Sequence, residues 1–350
     1  MRKSDEQKQC QILQKCNLSF RKFTDIMGTI IGNKGEWSMS YTEILSRLKQ
    51  NVAKVIVGKE ETVDYLLCAL LCSGHVLIED MPGLGKTSLA SALAASLGCS
   101  FRRIQFTPDV VPSDITGFTM FSMKTGEKEI RFGSVMSQIV LADEINRCGP
   151  KTQSALLEVM QERQVTIDGE TFPAPTPFMV LATQNPIETS GTYPLPEAQL
   201  DRFMMRLSMG YPSQEEEIEI LRRHRDPGAE APLSAVITAE ELCAMQRSVE
   251  QVTCCPEVMR YIVEIAEATR DLNDVRMGIS PRGSIALLQA SRARALMQGR
   301  DYVLPDDVRH LVRPVLSHRL LLRSRGLAQS RSAEEILDAV LQVIPVPVNI

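Results

Sequence analysis

From Tyr41 onward two kinds of hydrophobic pattern alternate along the chain. Ile44, Leu48, Val52, Val55 and Ile56 recur at helical spacing until Gly58 interrupts them, which predicts a helix feeding a short loop. Five short apolar runs follow, HVLIED at 75–80, FRRIQF at 101–106, SQIVLAD at 137–143, FMVLAT at 178–183 and MMRLSM at 204–209, with helical patterns between them. Strands separated by helices predict a parallel sheet covered on both faces, because each parallel crossover lays a helix against the sheet. Two further segments read as hairpins decorating that sheet: FTMFSMKTGEKEIRF, turning at Thr125-Gly126, and QVTIDGETF, turning at Asp168-Gly169.

After Tyr211-Pro212 the strand signals stop, and a second, helical domain is predicted to begin with the charged run from Ser213 to Arg225. The stretch DPGAEAPLSAV at 226–236 reads as a loop. Amphipathic segments follow near 239–250, 256–271, 281–298, 305–320 and 333–344, and in the last of these Ile336, Leu337, Val340, Leu341 and Ile344 make one apolar face. Residues 1–40 carry no sustained periodicity and read as an extension of unassigned role. The expected organisation is therefore 1–40 extension, 41–212 α/β domain and 213–350 helical domain.

The bulk numbers remove several classes of function. At 350 residues the chain has room for two domains, and 44% hydrophobic with 23% charged residues is ordinary for a soluble protein. A formal charge of −4 gives no footprint for holding a polyanion, so nucleic acid is not an expected partner. The nine cysteines include no pair at CxxC spacing, which fits reduced thiols in a cytosol better than a zinc or disulfide framework. Cys68 and Cys72 share a helix face among apolar residues and are read as packing. The opening MRKSDEQKQCQ lacks the apolar core of a signal peptide, and Tyr65 to Ile78 is too short and interrupted to span a bilayer. The expected location is cytoplasmic, without membrane insertion.

Chemistry concentrates where three of the predicted strands end. HVLIED runs into MPGLGKTSLASALAASLG, a strand, a Gly-containing turn and an Ala/Leu-rich helix. In this P-loop context Pro82, Gly83, Leu84, Gly85, Lys86, Thr87 and Ser88 would cradle phosphate with backbone N–H groups and the helix N-terminus. Lys86 would reach the β- and γ-phosphates and the Thr87 hydroxyl would meet Mg²⁺. The pattern G-x-x-x-x-G-K-[ST] is imperfect, because Asp80 stands where its first Gly belongs; a chance Gly-Lys-Thr turn would lack the flanking strand and helix. The strand Ile139–Ala142 ends in Asp143-Glu144, a Walker B arrangement in which Asp143 would hold Mg²⁺ and Glu144 would orient and deprotonate the attacking water. The bland alternative, a helix N-cap pair, would not aim both acids at the P-loop. FMVLAT ends in Gln184-Asn185, and Asn185, by itself an ordinary turn residue, is the candidate to sense the γ-phosphate.

With these residues in order, the chain closely resembles the MoxR family of AAA+ ATPases. The motifs that carry the resemblance are VIVGKEE, EDMPGLGKTSLA, RIQFTPDVVPSDITG, LADEINRCGPKTQSALLEVMQE, ATQNPIE, GTYPLPEAQLDRF, GISPRGSIALLQASRA and the terminal IPVPV, from about Tyr41 to the end. The resemblance implies an AAA+ P-loop αβα sandwich with a parallel five-stranded sheet, followed by a smaller all-helical lid domain. It also implies that Val57 and Gly58 belong to the adenine-side loop, Asn185 is sensor 1, Arg202 in LDRF is an arginine finger acting on a neighbouring subunit, and Arg282 is sensor 2, reaching its own nucleotide from the lid. Arg147 and Arg206 read better as interface or surface arginines. Cys148-Gly149 stands where family members often carry Ala-Pro, and RFGSVMSQ replaces an RPGPIF-like segment.

The function implied is an ATP- and Mg²⁺-dependent chaperone-like ATPase. Its ring, expected to be a hexamer, would remodel or activate a client protein, with a von Willebrand factor A domain protein as a possible partner class. Two other readings are a nucleotide-gated binding module with little turnover, disfavoured by the intact Glu144, and a nucleic-acid motor, disfavoured by the missing basic stripe.

Overall fold

A computed structural model of the protein describes residues 40–121, 127–186, 191–225, 233–323 and 331–347. The predicted turn at Thr125-Gly126, most of the extension at 1–40 and most of the loop at 226–236 lie outside these residues. By compactness the chain divides into two units, Ser46–Arg247 and a second formed by residues up to Leu45 together with those from Ser248 onward.

In the first unit, five parallel strands form one sheet in the order β2-β5-β8-β1-β9. They are β1 (Val76–Glu79), β2 (Phe101–Gln105), β5 (Ile139–Asp143), β8 (Met179–Gln184) and β9 (Met205–Leu207), each one of the apolar runs read from sequence. Burial explains their composition. β5 is buried throughout and β8 at all but its last residue, so they are continuous apolar runs, whereas the edge strand β2 buries only Ile104 fully. Helices α1 (Tyr41–Ala53), α2 (Glu60–Leu71), α3 (Lys86–Ser96), α4 (Pro112–Thr116), α5 (Pro150–Glu162), α6 (Glu197–Leu200), α7 (Gln214–Arg225) and α8 (Ala239–Gln251) fill the connections and flanks, the division between the units falling within α1 and within α8. One core joins Leu77, Val140, Ala142, Val180 and Ala182 of the sheet to Leu156, Leu157 and Met160 of α5.

The two hairpins are present as antiparallel pairs, β3 (Gly117–Phe121) with β4 (Lys128–Phe132), and β6 (Gln164–Ile167) with β7 (Glu170–Pro173). The second turns through Asp168 (φ 49°) and Gly169 (φ 87°), the two left-handed residues that a two-residue hairpin matching strand twist requires.

The second unit is built on α9 (Pro256–Ala268), α10 (Pro281–Met297), α11 (Pro305–Leu316) and α12 (Ala333–Val343), with one short antiparallel ribbon, β10 (Val275–Met277) against β11 (Leu321–Leu322). Three of these helices start with Pro at N1, where its missing N–H costs nothing. The start of α12 is fixed by a capping box between Ser332 and Glu335, and Ile336, Leu337, Val340 and Leu341 are its buried face. Asp307 is buried against a two-pronged contact from Arg300 (2.7 and 2.8 Å) and also accepts the Leu304 N–H, so its charge is fully paired.

Candidate nucleotide site

A cleft of about 230 Å³ opens at the C-terminal edge of the sheet, lined by Pro82, Gly83, Gly85, Lys86, Thr87, Arg103, Gln105, Asp143, Glu144 and Asn185. Four strand ends place these groups. β1 leads into the turn 80–85, and Gly83 (φ 86°) and Gly85 (φ 82°) hold left-handed backbone with open space where a Cβ would stand. That leaves a concave stretch of main chain entering α3, whose first residue is Lys86. Leu84 and Ser88 belong to the same turn and helix, with Ser88 exposed and Leu84 half-buried.

Lys86 donates from Nζ to the Asp80 carbonyl at 2.8 Å. Partial burial lowers its pKa, while Asp80, Asp143 and Glu144 work in the opposite direction. Asp80, the residue that made the motif look imperfect, is buried, and its carboxylate collects Ser208 Oγ (2.8 Å) and the N–H groups of Met209 (2.5 Å) and Gly210 (3.3 Å). A Gly there would leave those groups of the segment after β9 without this anchor.

The paired acids lie at the end of β5. Asp143 Oδ1 accepts from Thr183 Oγ1 at 2.6 Å, and Oδ2 accepts from Arg103 Nη2 at 2.6 Å and Nε at 3.1 Å. Glu144 is left-handed (φ 57°, ψ 50°), a strained state for a residue with a Cβ, and its N–H is tied to Thr183 Oγ1 at 2.8 Å. Its Oε2 accepts from Gln105 Nε2 at 2.8 Å and faces Arg147 Nε at 3.2 Å. Asn185 is buried after β8, and Asn146 Nδ2 donates to its carbonyl at 3.3 Å.

Other residues singled out from sequence lie outside this lining. Arg202 donates from Nη1 to the Leu157 carbonyl at 2.8 Å, and Arg206 pairs with Glu79 at 3.3 Å. Gly58 (φ 68°) lies against the Glu216 carboxylate, which would have to move to admit a Cβ, and Val57 beside it is half-buried. Arg282 is exposed in the first turn of α10, in the other unit. Cys148 is core, its thiol pushed up to about 11 by burial, and Gly149 is the N-cap of α5.

Arg103, Gln105 and Thr183 were not singled out from sequence. Arg103 and Gln105 alternate with buried Ile104, so their shared face was legible. Their partners depend on β2 lying beside β5, a pairing set by strand order.

The site's oxygen donors, Thr87 Oγ1 and a carboxylate, suit a hard divalent cation such as Mg²⁺, and the glycine-lined turn at a helix N-terminus suits phosphate. Residues 75–205 match the family described as ATPase family associated with various cellular activities (AAA), and residues 267–340 match the AAA lid domain. The chain is 48% identical over 315 residues to protein YeaC of Bacillus subtilis (strain 168), covering 89% of this chain and 98% of that one. It is 44% identical over 313 residues to chaperone MoxR1 of Mycobacterium tuberculosis, covering 87% and 82%. A crystal structure of a candidate ATPase from Cytophaga hutchinsonii superposes with a TM-score of 0.83 at 37% identity, covering 88% of this chain and 96% of that one. Among the described residues no helix is long and apolar enough to cross a membrane.

Proposed function

We propose, from the premise that this chain belongs to the MoxR family of AAA+ ATPases, that it binds and hydrolyses ATP at the cleft above the sheet and uses the cycle to remodel or activate a client protein. The observation that carries this reading is the convergence of Lys86 and Thr87 after β1, Asp143 and Glu144 after β5, and Asn185 after β8 on one cleft. Backbone N–H groups from Gly83 to Ser88 take the phosphates, and Lys86 leaves the Asp80 carbonyl for the stronger acceptor, a phosphate oxygen. Thr87 and Asp143 would hold Mg²⁺, which when bound neutralises charge on the phosphate oxygens. Glu144 orients water and accepts its proton, and the Asn185 amide positions that water without adding charge.

The rest of the proposal is assembly. Val57 and Gly58 form the adenine side, Arg202 completes a neighbour's site in a hexameric ring, and Arg282 reports nucleotide to a lid that begins near Ser213. The client is a protein, with a von Willebrand factor A domain protein as the partner class. The compartment is the cytoplasm, in keeping with seven described cysteines of which none is in a disulfide.

The test separates binding from chemistry. Glu144→Gln should bind a fluorescent ATP analogue like the parent while phosphate release falls at least about a hundredfold. Hydrolysis at the parent rate would remove Glu144 from the mechanism. Rings mixed from Glu144→Gln and Arg202→Ala subunits should regain turnover; co-purifying mixed oligomers without recovery would remove the role of Arg202 in trans.

A further inference from the structure

Both oxygens of Asp143 are engaged. Oδ1 is fixed by Thr183 Oγ1, a fully buried hydroxyl that also accepts the Glu144 N–H and so cannot turn away without unmaking both contacts. Oδ2 is held by two nitrogens of one guanidinium, Arg103 Nε and Nη2. A divalent cation taking Oδ2 must compete with Arg103 for it. We propose that Arg103 is a displaceable cationic stopper on the metal site, which holds Asp143 and yields it only when a metal ion arrives with nucleotide. This rests on the reading of Thr87 and Asp143 as the metal-holding pair.

The two partners differ in what leaving costs them. The Arg103 side chain is 46% exposed on the edge strand, and water can rehydrate it when it swings out. The Asp143 side chain is 11% exposed, so water replaces a lost counter-charge there far less well. Arginine departure and metal arrival are therefore coupled as an exchange of one cation for another. A lone divalent ion must break a two-pronged, charge-assisted contact to enter, whereas an ion carried on phosphates brings its own ligands and an anionic acceptor that competes for the freed arginine.

The geometry of β2 supports a built device. In the parallel register Arg103 stands opposite Leu141 and Gln105 opposite Asp143, so Arg103 leans two residues forward onto Asp143 and Gln105 one residue forward onto Glu144. Gln105 also accepts from Arg103 Nη2 at 2.5 Å while donating to Glu144, so Nη2 is shared between Gln105 and Asp143 and the Nε–Nη2 edge of the guanidinium is fixed. Lys86, by contrast, is parked on a backbone carbonyl and leaves both acids to β2.

The experiment is a Mn²⁺ titration of the full chain followed by electron paramagnetic resonance, without nucleotide and with a non-hydrolysable ATP analogue. Without nucleotide, Arg103→Gln should bind Mn²⁺ about tenfold or more tightly than the parent, because an opposing charge has been removed from the ion's own carboxylate. Adding Asp143→Asn should abolish the gain, and the ATP analogue should shrink it. If Arg103→Gln does not fold, Arg103→Lys, which keeps the charge and loses the two-pronged grip, should still tighten Mn²⁺ several-fold. Unchanged or weaker nucleotide-free affinity in the variant that folds overturns the proposal, as does a gain that survives Asp143→Asn. Binding of the ATP analogue in saturating Mg²⁺ is read separately. Its absence in the parent would sink the nucleotide reading, while the nucleotide-free Mn²⁺ titration would still decide the role of Arg103.

Discussion

At the C-terminal ends of the five parallel strands, charged side chains are held by contacts that ligands can replace: Lys86 on a carbonyl, Asp143 on Arg103, Glu144 on Gln105. At the N-terminal ends of the same strands, neutral side chains are locked by contacts that no ligand replaces. His75, just before β1, accepts the Val180 N–H at Nδ1 (3.0 Å), which puts its proton on Nε2 to be donated to the Met160 carbonyl (2.9 Å), and packs edge-on against Phe178. Gln138, just before β5, bridges Ser100 and Thr176, the approaches to β2 and β8. One end of the sheet fixes strand order; the other uses that order to bring acids and cations together without burying them beyond reach. Variants at the two ends should accordingly separate activity from stability.

The largest effect is expected at the open end. Lys86→Ala should weaken nucleotide binding by at least about 3 kcal/mol, more than a hundredfold, through loss of a part-buried cation from phosphate. Its melting temperature without nucleotide should stay close to the parent's, since Lys86 gives up one bond to a carbonyl. Calorimetric titration and thermal melting read the two quantities. A large loss of stability would mean that the open end also holds the fold.

The locked end should announce itself through pH. Burial lowers the His75 pKa from 6.5 to about 4, the Met160 carbonyl works against that shift and Arg163 adds to it. Between those values the unfolded chain binds the extra proton, so stability rises with pH. The contribution is fully present above about 6.5 and is lost on acidification towards 4, a change of up to about 3 kcal/mol. Urea midpoints at several pH values measure it, and His75→Gln should flatten the slope. A slope unchanged in that variant would move the acid sensitivity elsewhere.

These two ends were unequally legible in the sequence. The five apolar runs, the Asp168-Gly169 turn and the order of P-loop, acidic pair and Asn185 are local patterns, and local sterics and burial set them. Arg103, Gln105 and Thr183 act across neighbouring strands, so their partners exist only once β2, β5 and β8 lie side by side. Asp80 went unread for the same reason, because its acceptors' partners come from Ser208 to Gly210, far along the chain. His75 looked like the first residue of a strand and carried no signal that its two nitrogens would join β8 to α5.

Thr183 sharpens the comparison because it sits at the open end and is fully buried. Thr183→Val keeps the shape and removes both hydrogen bonds, leaving Asp143 Oδ1 and the Glu144 N–H without that hydroxyl. A loss of about 2 kcal/mol is expected, together with a fall in turnover of about tenfold, since the same bonds aim both acids. Unchanged turnover at reduced stability would make Thr183 a fold residue only.

The smallest effect is expected for Gln138→Ala at the locked end. Its side chain accepts the Ser100 N–H at 2.9 Å and donates to the Thr176 carbonyl at 3.0 Å, and Ser100 Oγ accepts its own N–H at 2.9 Å. The side-chain bonds are lost in the variant, yet they lie at the surface, where water takes over most of what they supply. A net loss of about 1 kcal/mol follows, seen as a drop of about 2–4 °C in melting temperature. Turnover at a temperature where the variant is fully folded should match the parent's, because no bond of Gln138 reaches a residue of the cleft. The contrast with Thr183→Val then rests on access to water: similar numbers of hydrogen bonds, one set replaceable by solvent and one not. If Gln138→Ala slowed turnover as much as Thr183→Val, strand positions at the base would be setting the geometry of the acids at the other end, and the division between a locked end and a working end would fail.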